Sequence, residues 1–222
     1  MNKAAFVISL TSLVLATTAY WRAGGKQDIQ ALGRVAQAIA ASYDKSRQRL
    51  QIARNHLRQL KEEAVEGLEK QVQLAQEQLE TLARRLEEGA KSAKDATVAT
   101  ARKVEEAIAL RVRRIEARAT LLQAKAKASR AVSSAAKKDF ERADQLLQDA
   151  TELLQSARET LGDDHAYDQL LDAMKLALRE ATTAVRAHAE DVRQKIEQVL
   201  TDTDRIVSSL ESDEDQAAKQ AS

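Results

Sequence analysis

Cysteine and proline are absent from the 222 residues, aromatic side chains make up 3% of them, and glycine occurs six times. Each shortage closes off a class of structure. Without cysteine there is no disulfide and no thiolate to serve as metal ligand or nucleophile. Without proline nothing in the sequence breaks a helix from inside. So few aromatic rings point away from a globular enzyme core, which relies on the large area such rings bury. His56, His165 and His188 stand too far apart to form a zinc-binding pair on one helix turn, and neither a glycine-rich phosphate loop nor a Gly-x-Ser-x-Gly elbow occurs. The carboxylates lie three or four residues from bases, as they do on solvated helix surfaces. The chain is therefore expected not to be an enzyme, with no catalytic residue, cofactor, metal or small-molecule substrate.

Alanine, leucine and charge fill the chain instead. Hydrophobic residues account for 44% and charged residues for 31%, the profile of long helices and coiled coils. Alanine favours helix but buries little area, so cores between such helices are thin. Apolar positions recur at alternating spacings of three and four along three seams. The first runs from Ile29 through Tyr43, Leu50, Leu57, Leu68, Leu79 and Leu86, with consecutive fours at Ala64 that read as a stutter. The second runs unbroken from Val112 through Ala119, Leu122, Phe140, Leu147 and Leu154 to Leu161, and the third from Leu171 through Leu178, Val185, His188 and Val199 to Leu210. His188 on that seam is read as a polar residue that sets register.

The breaks are glycines. Gly89 reads as a C-terminal cap, Gly162 followed by Asp163 and Asp164 as a stronger stop and restart, and the Gly24–Gly25 pair as a hinge. The expected architecture is all-α: an N-terminal transmembrane helix followed by long coiled-coil-type helices in an antiparallel, spectrin-like three-helix bundle. Residues 1–25 would be anchor and hinge, residues 26–211 the bundle with helices over 26–88, 91–161 and 165–211, and residues 212–222 a disordered acidic tail. The alanine-lysine character of residues 90–107 is compositional and identifies no family.

The one continuous apolar stretch, AAFVISLTSLVLATTAYW, covers the eighteen residues 4–21. As a helix it reaches roughly 27 Å, close to the ~30 Å hydrocarbon core of a bilayer. Phe6, Val7, Ile8, Leu10, Leu13, Val14 and Leu15 would lie in lipid, Tyr20 and Trp21 at the headgroups, and Arg22 and Lys26 would snorkel beyond them. A secretory leader cut after Ala16 or Ala19 is the competing reading, in which the chain is released to the periplasm. Continuation of the apolar run as far as the aromatic pair favours the anchor. The expectation is thus a single-pass protein of a membrane such as the bacterial inner membrane. Its flanking charges lean toward a cytoplasmic helical part, whereas an ordinary signal-anchor would put that part outside.

Charge then suggests how the helices meet. Residues 91–138 hold 13 Lys/Arg against 4 Asp/Glu, whereas residues 139–222 hold 9 against 20. A fold-back at Gly162 would set residues 188–215 antiparallel beside residues 111–138, opposite signs together. Arg102, Lys103, Arg111, Arg113, Arg114, Arg118, Lys125, Lys127 and Arg130 are also the candidates for contact with an anionic surface. No aromatic residue between Tyr43 and Phe140 could stack on bases, so nucleic acid is not an expected partner. The first functional reading is a membrane-anchored scaffold acting through helix–helix association with itself or with another helical protein. The alternatives are a protein that binds anionic lipid through residues 91–138 and shapes or senses the bilayer, and a periplasmic helical chaperone or carrier.

Overall fold

The computed structural model of the chain describes residues 29–63, 68–92, 98–162 and 164–220. They form six α-helices: α1 (Ile29–Glu62), α2 (Glu69–Ser92), α3 (Val98–Ala136), α4 (Phe140–Leu161), α5 (Asp168–Arg186) and α6 (Val192–Gln220). A 3-10 turn, His165–Tyr167, precedes α5, and no strand occurs among the described residues. The fold is an all-α helical bundle. No helix among the described residues is long and apolar enough to cross a membrane. The anchor expected at residues 4–21, with Phe6, Val7, Ile8, Leu10, Leu13, Val14, Leu15, Tyr20 and Trp21, lies outside the described residues, as does the Gly24–Gly25 hinge.

Each of the three long helices expected from the seams is two shorter ones. The first seam is carried by two helices, α1 ending at Glu62 and α2 beginning at Glu69, and the consecutive fours at Ala64 lie outside the described residues. The second seam is interrupted at residues 137–139, where Lys138 takes a left-handed φ of 62° and Asp139 accepts a hydrogen bond from the Arg142 amide at 3.1 Å to cap α4. The third is interrupted beyond Ala187, where His188, exposed and at φ 49°, turns the chain. Neither turn has the glycine that a left-handed backbone usually selects, which is why periodicity ran through both. Gly162 does end α4, with φ 59° and its amide donating to the Arg158 carbonyl at 3.0 Å. Gly89 is no cap. It lies inside α2, where a Cβ would come within 2.9 Å of Ile108 Cδ1 and 3.2 Å of Tyr43 Oη. Residues 212–220, expected to be disordered, continue α6.

The chain divides into two units, Met1–Gln48 with Thr81–Leu110, and Arg49–Glu80 with Arg111–Ser222. In the first, Tyr43 of α1, Leu82 and Leu86 of α2 and Ile108 of α3 are buried, and Ser42 donates to Glu105. The Tyr43 hydroxyl is buried without a hydrogen-bond partner. Burial, and then the charge of Glu105, push that phenol above its ordinary pKa.

In the second unit α3 is enclosed. Residues 115–122 are buried without interruption, as expected of a helix packed on all sides. Two alanine-rich stripes explain this. Val112, Ile115, Ala119, Leu122 and Ala126 form one; Ala117, Leu121, Ala124, Ala128 and Ala131 form the other, and all ten are buried. At 3.6 residues per turn the stripes lie on opposite faces. Leu50, Ala53, Leu57 and Leu60 of α1 and Val72, Ala75 and Leu79 of α2 are buried in this unit, as are the seam residues of α4, α5 and α6 apart from the half-buried Phe140. The small alanine side chains let the backbone of α3 approach neighbours on both faces.

Candidate functional site: polar layers on the central helix

Two charged ridges separate the apolar stripes of α3. On the first, Glu116, Gln123 and Arg130 follow one another at seven-residue spacing. Arg49 donates to Glu116 at 2.7 Å, Gln123 to Gln59 at 3.3 Å and Arg130 to Glu63 at 2.8 Å. Residue numbers rise together on the two helices, so α1 and α3 run parallel. Lys127, beside this ridge, donates to Asp149 of α4 at 2.9 Å.

The second ridge carries Arg118 and Lys125. Arg118, 0% exposed, donates to Gln78 of α2 and Glu211 of α6. One heptad on, Lys125 donates to Gln71 at 3.1 Å and to Asp204 at 2.6 Å, while Gln71 donates to Asp204 at 2.9 Å. The same arrangement of cation, amide and carboxylate thus repeats seven residues apart on three helices at once. Here the numbers run in opposite senses, so α2 and α6 are both antiparallel to α3. The ridges also identify what flanks each stripe: α1 and α2 enclose the first, α4 and α6 the second.

A third cluster fastens the far end of α6. Arg114 donates to Asp164 at 2.9 Å, lies 3.8 Å from Asp213 and sits over the Tyr167 ring at 5.6 Å from its centre. The buried Tyr167 hydroxyl donates to Asp213 at 2.5 Å. Burial, and then this hydrogen bond, hold the Tyr167 phenol well above its ordinary pKa, so it stays a donor. These contacts hold α6 at Asp213, three residues past Leu210. Burial likewise raises the Glu116 carboxyl above its ordinary value, and Arg49 offsets part of that rise.

The nine cations expected to face an anionic surface do not share one. Arg102 and Lys103 are exposed, and Arg102 pairs along its own helix with Glu106 at 2.9 Å. Arg111 and Arg113 are half-buried, with Arg113 Nε enclosed and unbonded. Arg114, Arg118, Lys125, Lys127 and Arg130 each hold a carboxylate of another element, as described above. Gln71 and Gln78, which complete the layers, were missed in the sequence, although their seven-residue spacing was readable. A basic run was also passed over: between Lys45 and Lys61 lie Arg47, Arg49, Arg54 and Arg58 and no acid.

Among the described residues no group of three metal-ligating side chains occurs. A cleft of about 230 Å³ is lined by Leu60, Lys61, Leu68, Glu69 and Val72 among others, and is small against the ~300–1,000 Å³ of ordinary ligand pockets. No protein-family model, curated protein or solved structure matches the chain.

Proposed function

We propose that the protein is a membrane-anchored helical scaffold, tethered through residues 4–21 and acting by association of its helices with copies of itself or with another helical protein. The observation that supports this reading is the pairing of Arg114, Arg118, Lys125, Lys127 and Arg130 of α3 with carboxylates elsewhere in the fold. A helix whose Arg118 is wholly buried and whose Lys125 holds Asp204 has its charge committed to packing. Such burial weighs against the reading in which residues 91–138 lie on anionic lipid. Charged layers repeated at heptad spacing fix which helices pack and in what register, a property suited to a part that must hold a defined arrangement.

The test is membrane fractionation of cells producing the full chain. Retention after an alkaline wash, loss of retention on deleting residues 1–25, and an intact mass that includes those residues are the expected results. A chain that washes off, or a mature form lacking residues 1–19, would favour a released carrier and refute the anchor.

A further inference from the structure

Two helix faces of the second unit carry charge that the fold does not neutralise. On α1, Arg54, Arg58 and Lys61 are exposed at spacings of four and three. Arg58 reaches only Glu62, at 3.9 Å, and Arg54 and Lys61 have no carboxylate within ion-pair distance among the described residues. On α4, Glu141, Glu152 and Glu159 are exposed on one face, with exposed glutamines at the intervening heptad positions. Glu141 and Glu152 have no cation within ion-pair distance among the described residues. The contrast with α3 is sharp, since there each charge on the two ridges is met.

The two faces match in spacing as well as sign. Arg54 and Lys61 are seven residues apart, and so are Glu152 and Glu159; on helices laid side by side both pairs would form together, about 10 Å apart along the axis. We propose that the Arg54–Arg58–Lys61 face of α1 docks on the Glu141–Glu152–Glu159 face of α4 in a second copy of the chain. The contact joins two different surfaces, so it propagates head to tail into a ring or an open array and is not a closed twofold dimer. The inference rests on the association reading above and supplies its surface. Exposed pairs of this kind are individually weak and salt-screened, so assembly is reversible and strengthens where an anchor concentrates copies in one membrane.

The test uses the full chain in a non-ionic detergent, with light scattering after size exclusion at low and high salt. The variant R54E/R58E/K61E makes both faces acidic, and E141K/E152K/E159K makes both basic. Each alone is expected to weaken self-association on the order of tenfold at low salt. An equimolar mixture of the two, or one chain carrying all six changes, is expected to restore it. Restoration also shows that the variants fold. Association that persists unchanged in both variants would overturn this surface and leave the scaffold reading intact, whereas loss of membrane retention would refute that reading and not the surface. A parent chain that stays monomeric, yet binds phosphatidylglycerol vesicles through Arg54, Arg58 and Lys61, would also overturn the proposal and assign the basic face to lipid.

Discussion

Replacing Arg118 with alanine removes the side chain that joins α2, α3 and α6 in one layer. Arg118 is fully buried and donates to Gln78 and Glu211, so its loss leaves a carboxylate and an amide without their cation. Breaking a buried charge pair from one side costs about 3–5 kcal/mol. Glu211 keeps 25% of its side-chain exposure and can regain part of its hydration, which puts the expected loss at about 3 kcal/mol. Replacing the whole layer, with Arg118→Met, Gln78→Leu and Glu211→Leu together, removes charge and partners at once. That triple variant is expected to lie within about 1 kcal/mol of the parent, or above it. Urea unfolding followed by far-UV circular dichroism measures both, provided the dependence on urea keeps the same slope. A loss under about 1 kcal/mol in Arg118→Ala would show that the cation contributes little. A triple variant as unstable as the single would show that side-chain volume, and not unmatched charge, sets the cost.

Gly89→Ala sets the better helix propensity of alanine, about 1 kcal/mol, against the push of a new Cβ 2.9 Å from Ile108 Cδ1. Overpacking of this kind costs about 1–3 kcal/mol, so a net loss in urea midpoint is expected, and Ile108→Val, which removes that methyl, should reverse it. His56 has a buried, unbonded Nδ1, and burial holds its pKa below the usual 6.5. Its folded pKa is the lower one, so the stability it supports is present above pH 6.5 and is lost as pH falls through that value toward the folded pKa. Unfolding measured at about pH 7.5 and pH 5 should therefore show a larger acid loss in the parent than in His56→Gln; equal losses would mean the imidazole protonates freely in the fold. Lys138 holds a φ of 62°, and Lys138→Gly is expected to stabilise by roughly 0.5–1 kcal/mol, read as a raised thermal midpoint.

Helix content and most buried positions were legible because heptad spacing reports a buried face directly. Leu50, Leu57, Leu79, Leu147, Leu154, Leu178 and Val199 stand on the seams and are all buried. The reversals were not legible, because Lys138 and His188 turn the chain without glycine and the seam register happens to continue across each turn. The pairing of α3 with α6 nonetheless came close to expectation. A single fold-back at Gly162 brings residues 188–215 beside 111–138, and the structure joins Lys125 to Asp204 and Arg118 to Glu211. The two unforeseen reversals nearly cancel, since α4 and α5 have similar lengths of 22 and 19 residues. The second stripe of α3 was hidden for another reason. Ala117, Ala124, Ala128 and Ala131 give no hydrophobic contrast with the seam opposite, so one face was read where two exist. The glutamines Gln71 and Gln78 of the layers carry no charge, so the charge pattern of α3 gave no sign of them.

Native-state lysine acylation, quantified residue by residue by mass spectrometry, bears most directly on the Arg118 and Lys125 ridge of α3, whose cations face inward. Lys125 retains 13% of its side-chain exposure and holds Asp204, whereas Lys61 and Lys103 are exposed. In the folded chain Lys125 is expected to react at least about tenfold more slowly than Lys61 or Lys103, since its low exposure and its contact with Asp204 keep the reagent from the amine, and to match them once urea unfolds the protein. Equal rates in the folded state would contradict the inward-facing ridge.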